Sequence, residues 1–226
     1  MGEPVDLVKT TVRLDFSEAM RPWLEIREIM RVAGGDPTAE LGAEPLVLEQ
    51  SEKRQRIFLH VRALWLEHES PTSADQSVGQ AVEVIARLND ASKFPPMKQM
   101  RHDSVFIEPY PLPFHELVVF LKERFLRPNA VVESATDIAL VFDEHEDGVV
   151  KHIQIGPMDG EQLRREYLRW PRESIPDTFL FVGLGYVASS EAPYEAESLR
   201  AFLQSAVAWQ VSQAEAIVSS LRGEGR

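Results

Sequence analysis

The chain has 226 residues, with 24 Lys+Arg against 36 Asp+Glu for a formal net charge of -12, 44% hydrophobic residues, 12 Gly, 15 Pro and no Cys. This composition excludes collagen-like and disordered chains, and the missing cysteines exclude disulfides, thiolate zinc sites, iron–sulfur clusters and a cysteine nucleophile. The acidic balance disfavours nucleic acid and anionic membranes as partners, and no apolar run approaches the ~18 residues of a spanning helix.

The start, Met1 to Asp6, carries neither a secretory nor a myristoylation signal, so a cytoplasmic protein is expected. Val8, Thr10, Val12, Leu14 and Phe16 alternate with polar residues and predict a first strand. Ser17 and Pro22 open a helix carrying Met20, Trp23, Leu24 and Met30, which Gly34-Gly35-Asp36-Pro37 ends. Strands follow over 45–50 and 56–66, then a helix over 73–89 with Val78, Ala81, Val82, Ile85 and Leu88 inward. The stretch 93–101, with Pro95-Pro96, reads as a linker.

Beyond it come a strand over 104–110 and a helix opened by Pro113, with Leu117, Val118 and Leu121 on its apolar side. Strands over 136–142 and 149–155 flank a turn ending in the hairpin dipeptide Asp147-Gly148. Asp159 and Gln162 predict a helix start, with Leu163, Tyr167 and Trp170 along that helix. Phe179 to Val187 is apolar enough for a central strand, and the last helix covers 194–222.

The order strand, helix, hairpin, helix occurs twice. Leu46-Val47-Leu48-Glu49-Gln50 lies over Leu140-Val141-Phe142-Asp143-Glu144 without a gap, Leu59 and Val61 fall on Ile153 and Ile155, and Phe16 falls on Tyr110. The expected fold class is α+β, with duplicated βαββα (ferredoxin-like) units, antiparallel sheet(s) and a long C-terminal helix. The expected domains are a first repeat over 1–92, the linker 93–101, a second repeat with an extra strand over 102–190, and the helix 191–226 on the sheet. Two such units either press bare sheet faces together or join edges into one longer sheet, with a seam between them. The duplicated plait is similar to the dimeric α/β-barrel architecture, and Pro95-Pro96-Met97-Lys98 with Arg101 resembles a stretch of its haem-binding members without their surrounding aromatics. The hairpin turns carry opposite charges, Lys53, Arg54 and Arg56 against Asp143, Glu144, Glu146 and Asp147, and are candidates to meet.

In the last helix Leu199, Leu203, Val207, Val211, Ala214, Val218 and Leu221 recur at steps of four and three. Its length predicts a distal end, Val211, Ala214, Val218 and Leu221, that docks another protein or a second subunit. No zinc-protease motif, calcium loop, dinucleotide fingerprint, phosphate loop or serine-hydrolase elbow occurs, so no catalytic residue, metal site or cofactor is assigned. The expected function is a non-catalytic interaction or assembly subunit of a bacterial cytoplasmic complex. The alternative is a small-molecule-binding protein or enzyme whose seam pocket uses His60, Arg101, His102 and His115.

Overall fold

The computed structural model describes residues 5–20, 36–37 and 46–222. The helix expected after Ser17 falls mostly outside them. The strands are β1 (Asp6–Phe16), β2 (Asp36–Pro37), β3 (Leu46–Gln50), β4 (Gln55–His60), β5 (Ala63–Glu69), β6 (Met97–Pro109), β7 (Leu140–Glu146), β8 (Val149–Asp159) and β9 (Thr178–Ser189). They form one antiparallel sheet in the order β2-β3-β4-β5-β1-β6-β9-β8-β7. The helices are α1 (Ala74–Ser92), α2 (Phe114–Phe125), α3 (Ala130–Ser134), α4 (Gly160–Glu166) and α5 (Ala196–Arg222).

The strands make a single sheet in which β1 pairs with β6 at the centre, Arg13 lying opposite Arg101. A barrel is therefore not formed. The expected linker 93–101 shortens to a corner. Lys93 closes α1 with a left-handed backbone (φ 51°), its N–H donating to the Asn89 carbonyl, and Met97 already belongs to β6. The first hairpin is a three-strand meander, because Val61-Arg62 turns the chain between β4 and β5. That turn lacks Gly, Asn or Pro; its carbonyls instead accept from the N–H groups of Phe16 and Met20.

The aligned stretches form hairpins at opposite ends of the sheet, so their charged turns do not meet within the chain. Their registers differ by two residues: Leu46 pairs with Leu59, whereas Leu140 pairs with Ile155. A shift of two preserves which side chains face the core. In the second hairpin the expected long turn contracts to Asp147-Gly148, with positive φ at both residues (47° and 79°), as a two-residue turn of primed type requires.

Helices α1 and α5 lie on one sheet face. Val78, Ala81, Val82, Ile85 and Leu88 of α1 are all buried, matching the helical spacing. Helix α5, 27 residues and so ~40 Å long, bridges the halves of the sheet. Leu199, Phe202, Leu203 and Val207 pack with Leu14, Leu64 and Ile85, while Ala214, Val218 and Leu221 pack with Phe106, Leu180 and Val182. This corrects the docking expectation: Ala214, Val218 and Leu221 are buried in the chain's own core and Val211 is partly buried beside them, because the helix must span both halves. On β1 a register shift between Leu7 and Lys9 turns Val8 to the opposite face from Val12, Leu14 and Phe16.

Candidate functional site on the open sheet face

Strand alternation sends Arg13, Arg56, Phe58, Trp65, Glu67, Arg101, Asp103 and His152 to the face away from α1 and α5. One end of this face is covered by the chain between β8 and β9. Leu163 of α4 is buried there with Val8, Val105, Ile107, Met158, Phe179 and Phe181. Asp159 caps α4 by accepting from the Gln162 N–H at 2.7 Å, as its spacing predicts, but the helix ends at Glu166, short of Trp170.

Past α4, the segment through residue 177 is tied across the sheet. The buried Glu69 carboxylate accepts from the backbone N–H groups of Arg169 (2.8 and 2.9 Å) and Trp170 (3.1 Å). Arg169 also faces Glu49 at 3.4 Å, and Arg172 pairs with Asp6. Two backbone donors on one buried carboxylate make this the segment's main anchor. Replacing Glu69 with Ala is expected to speed amide exchange at Arg169 and Trp170 by roughly tenfold or more, and Glu69→Gln, which retains one acceptor, by less. Unchanged protection would show that the apolar contacts and the ion pairs of Arg169 and Arg172 hold the segment without Glu69.

Among the described residues, no helix packs on the other end of the face, where Phe58 and Trp65 are partly buried. Phe58 and Trp65 stack across β4 and β5, with ring centroids 5.0 Å apart and planes 15° apart. Arg13 sits over the Trp65 ring at 5.5 Å and Arg56 over the Phe58 ring at 5.2 Å. Each guanidinium has a carboxylate: Arg13 holds Asp15 (2.8 Å), Arg101 holds Asp103 (2.7 Å), and Arg56 bonds to Glu67, which also takes Lys9 (3.0 Å). The bond to Asp103 raises the Arg101 pKa further. Asp103 has room to lean over β9 because Gly185 offers no side chain; a Cβ there would lie 2.8 Å from its Oδ1. Beyond Gly185, His152 and Asp143 bond at 2.7 Å.

The four candidate ligand residues do not converge. Arg101 lies at the middle of the open face, and His60 ends β4 on the same face. His102, its neighbour on β6, points the opposite way and is fully buried under α5; His115 stands exposed at the start of α2.

The surroundings of His102 define its chemistry. Gln210 Nε2 bonds to the carbonyls of His102 (2.9 Å) and Leu184 (2.8 Å), which only accept, so Gln210 Oε1 must face the other pair. That oxygen accepts from Ser104 Oγ at 2.8 Å and from His102 Nδ1 at 2.7 Å, which places the ring hydrogen on Nδ1. Nε2 is buried without a partner among the described residues. Burial pushes the His102 pKa down, opposed by the Gln210 bond and by Asp103, and burial also lowers His68. A neutral buried histidine stabilises the fold fully above the unfolded value of 6.5, and that contribution is lost as pH falls from there through the depressed folded value. Below 6.5 the chain is expected to lose up to ~1.4 kcal/mol per pH unit through His102. Denaturant titrations across that range test this. His102→Gln should flatten the profile; a slope equal to that of the native chain would assign the effect elsewhere.

Exposed apolar side chains form a separate patch on α2 and α3, where Val119 (48%), Phe125 (41%) and Val131 (77%) face solvent. The edge strand β7 also exposes Val141 and Phe142. No group of three or more His, Asp or Glu suited to a metal ion occurs among the described residues, and none of their helices is long and apolar enough to cross a membrane.

No family model matches the sequence, and no curated protein does. Among solved structures, Methanococcus jannaschii TBP is similar at 9% identity, the match covering 93% of this chain and 99% of that chain with a TM-score of 0.37. A likeness this slight carries no argument about what the chain does.

Proposed function

We propose that the chain is a non-catalytic interaction subunit of a larger cytoplasmic assembly, which docks a partner protein on the open sheet face around Phe58 and Trp65. The observation that carries this reading is the stacked aromatic pair flanked by two guanidiniums on a part of the sheet that no described element covers. Tryptophan and arginine dominate the binding energy of protein interfaces. Arg13, Arg56 and Arg101 already hold carboxylates, so these three guanidiniums are not unpaired cations waiting for a phosphate backbone. The face suits a partner that lays a flat apolar side chain against the Phe58–Trp65 stack.

The reading includes the duplicated βαββα architecture. Counting outward from the centre, β1-β5-β4-β3 and β6-β9-β8-β7 have the same order in sequence, and each half is followed by a long helix on the same face. These features support duplication. On this reading Arg13 and Arg101, opposite each other on β1 and β6, belong one to each unit.

A second surface competes, the apolar patch of α2 and α3, with a groove lined by Val119, Leu126, Pro128 and Val132. Tagged full-length chain isolated from its native host separates the two readings. A partner lost from Trp65→Ala and Arg101→Glu but kept by Val131→Asp supports the open face. The reverse pattern overturns it.

A further inference from the structure

The seam between the halves has its own cleft, on the opposite side of the sheet from the proposed docking face. It measures about 400 Å³ and lies between the start of α1 and the distal part of α5, over β1 and β6. This volume falls within the range of small-molecule sites, and the position is one where such sites form. Leu7, Phe106, Val211 and Ala214 supply apolar lining; Phe106 and Ala214 are buried core residues, so this part of the wall is fixed by packing.

Asp6 and Glu215 are the charged residues of the lining, but Asp6, opposite Ile107, turns its side chain to the other face of the sheet. Asp6 is already neutralised by Arg172. Glu215 is exposed and has no ion-pair partner among the described residues. An apolar cleft with one uncompensated negative charge at its mouth matches a ligand with an apolar body and a single positive charge. An anionic ligand would meet repulsion with no basic side chain in the lining to offset it, and the positive end of α1 there is already answered by the Ser73 cap on the Gln76 N–H and by Asp75 in the first turn.

We propose that this cleft binds small amphipathic amines, with the hydrocarbon against Leu7, Phe106 and Val211 and the ammonium at Glu215. This is independent of the partner-docking reading, since the cleft lies on the other face.

The test titrates full-length chain with n-hexylammonium, hexanoate and hexanol at matched ionic strength, followed by ligand-observed NMR. Hexylammonium should bind saturably, with a dissociation constant in the millimolar range or tighter, and should displace hexanol. Hexanoate should bind at least tenfold more weakly. Glu215→Gln, an exposed change that leaves the core intact, should weaken hexylammonium roughly fivefold and leave hexanol unaltered. Equal or tighter binding of hexanoate, no effect of Glu215→Gln on hexylammonium, or no saturable binding by any of the three overturns the proposal.

Discussion

Gln210→Leu is expected to destabilise the chain by about 2–6 kcal/mol, because it strands two buried donors at ~1–3 kcal/mol each. Those donors are His102 Nδ1–H and the Ser104 hydroxyl, both aimed at one amide oxygen. Leucine is close to glutamine in volume, so the loss reflects unmade hydrogen bonds rather than a cavity. For a chain of this size such a loss lowers Tm by roughly 4–24 °C. Adding His102→Leu and Ser104→Ala to Gln210→Leu should recover much of it, since removing both partners of a buried bond costs far less than removing one. A single variant within 0.5 kcal/mol of the native chain, by the usual spread of surface substitutions, would mean that the amide is not engaged as the geometry shows.

The second large effect falls on binding. Trp65→Ala removes both the stack on Phe58 and the surface under the Arg13 guanidinium. If this ring is the anchor of the interface, affinity for the captured partner should fall by about 2 kcal/mol or more, ~30-fold. Trp65→Phe, which keeps a ring on Phe58, should retain most of the binding. The ring is only partly buried, so unfolding should change much less than binding does. A loss of binding matched by an equal loss of stability would mark Trp65 as structural.

Elements governed by local pattern were legible in the sequence. The inward stripes of α1 and α5, the Asp159 cap and the Asp147-Gly148 turn all follow from neighbouring residues. The β4–β5 turn was not, because Val61-Arg62 carries no turn chemistry and is held by N–H donors on distant Phe16 and Met20. Nor was the first half of β6: its open-face residues, Gln99, Arg101 and Asp103, are polar, so the stretch after Pro95-Pro96 reads as loop. Periodicity identified the apolar side of α5 but not what covers it, which is why its distal end looked like a docking surface. The aromatic pair and its arginines depend on the registers of β4 with β5 and of β1 with β5 and β6, long-range pairings that local pattern does not specify.

Hydroxyl-radical footprinting of the free chain and of the chain bound to its captured partner tests the docking face most directly. Phe58 and Trp65 should lose reactivity on binding while Val119, Phe125 and Val131 keep theirs. Unchanged labelling of Phe58 and Trp65, with protection confined to α2 and α3, would contradict it.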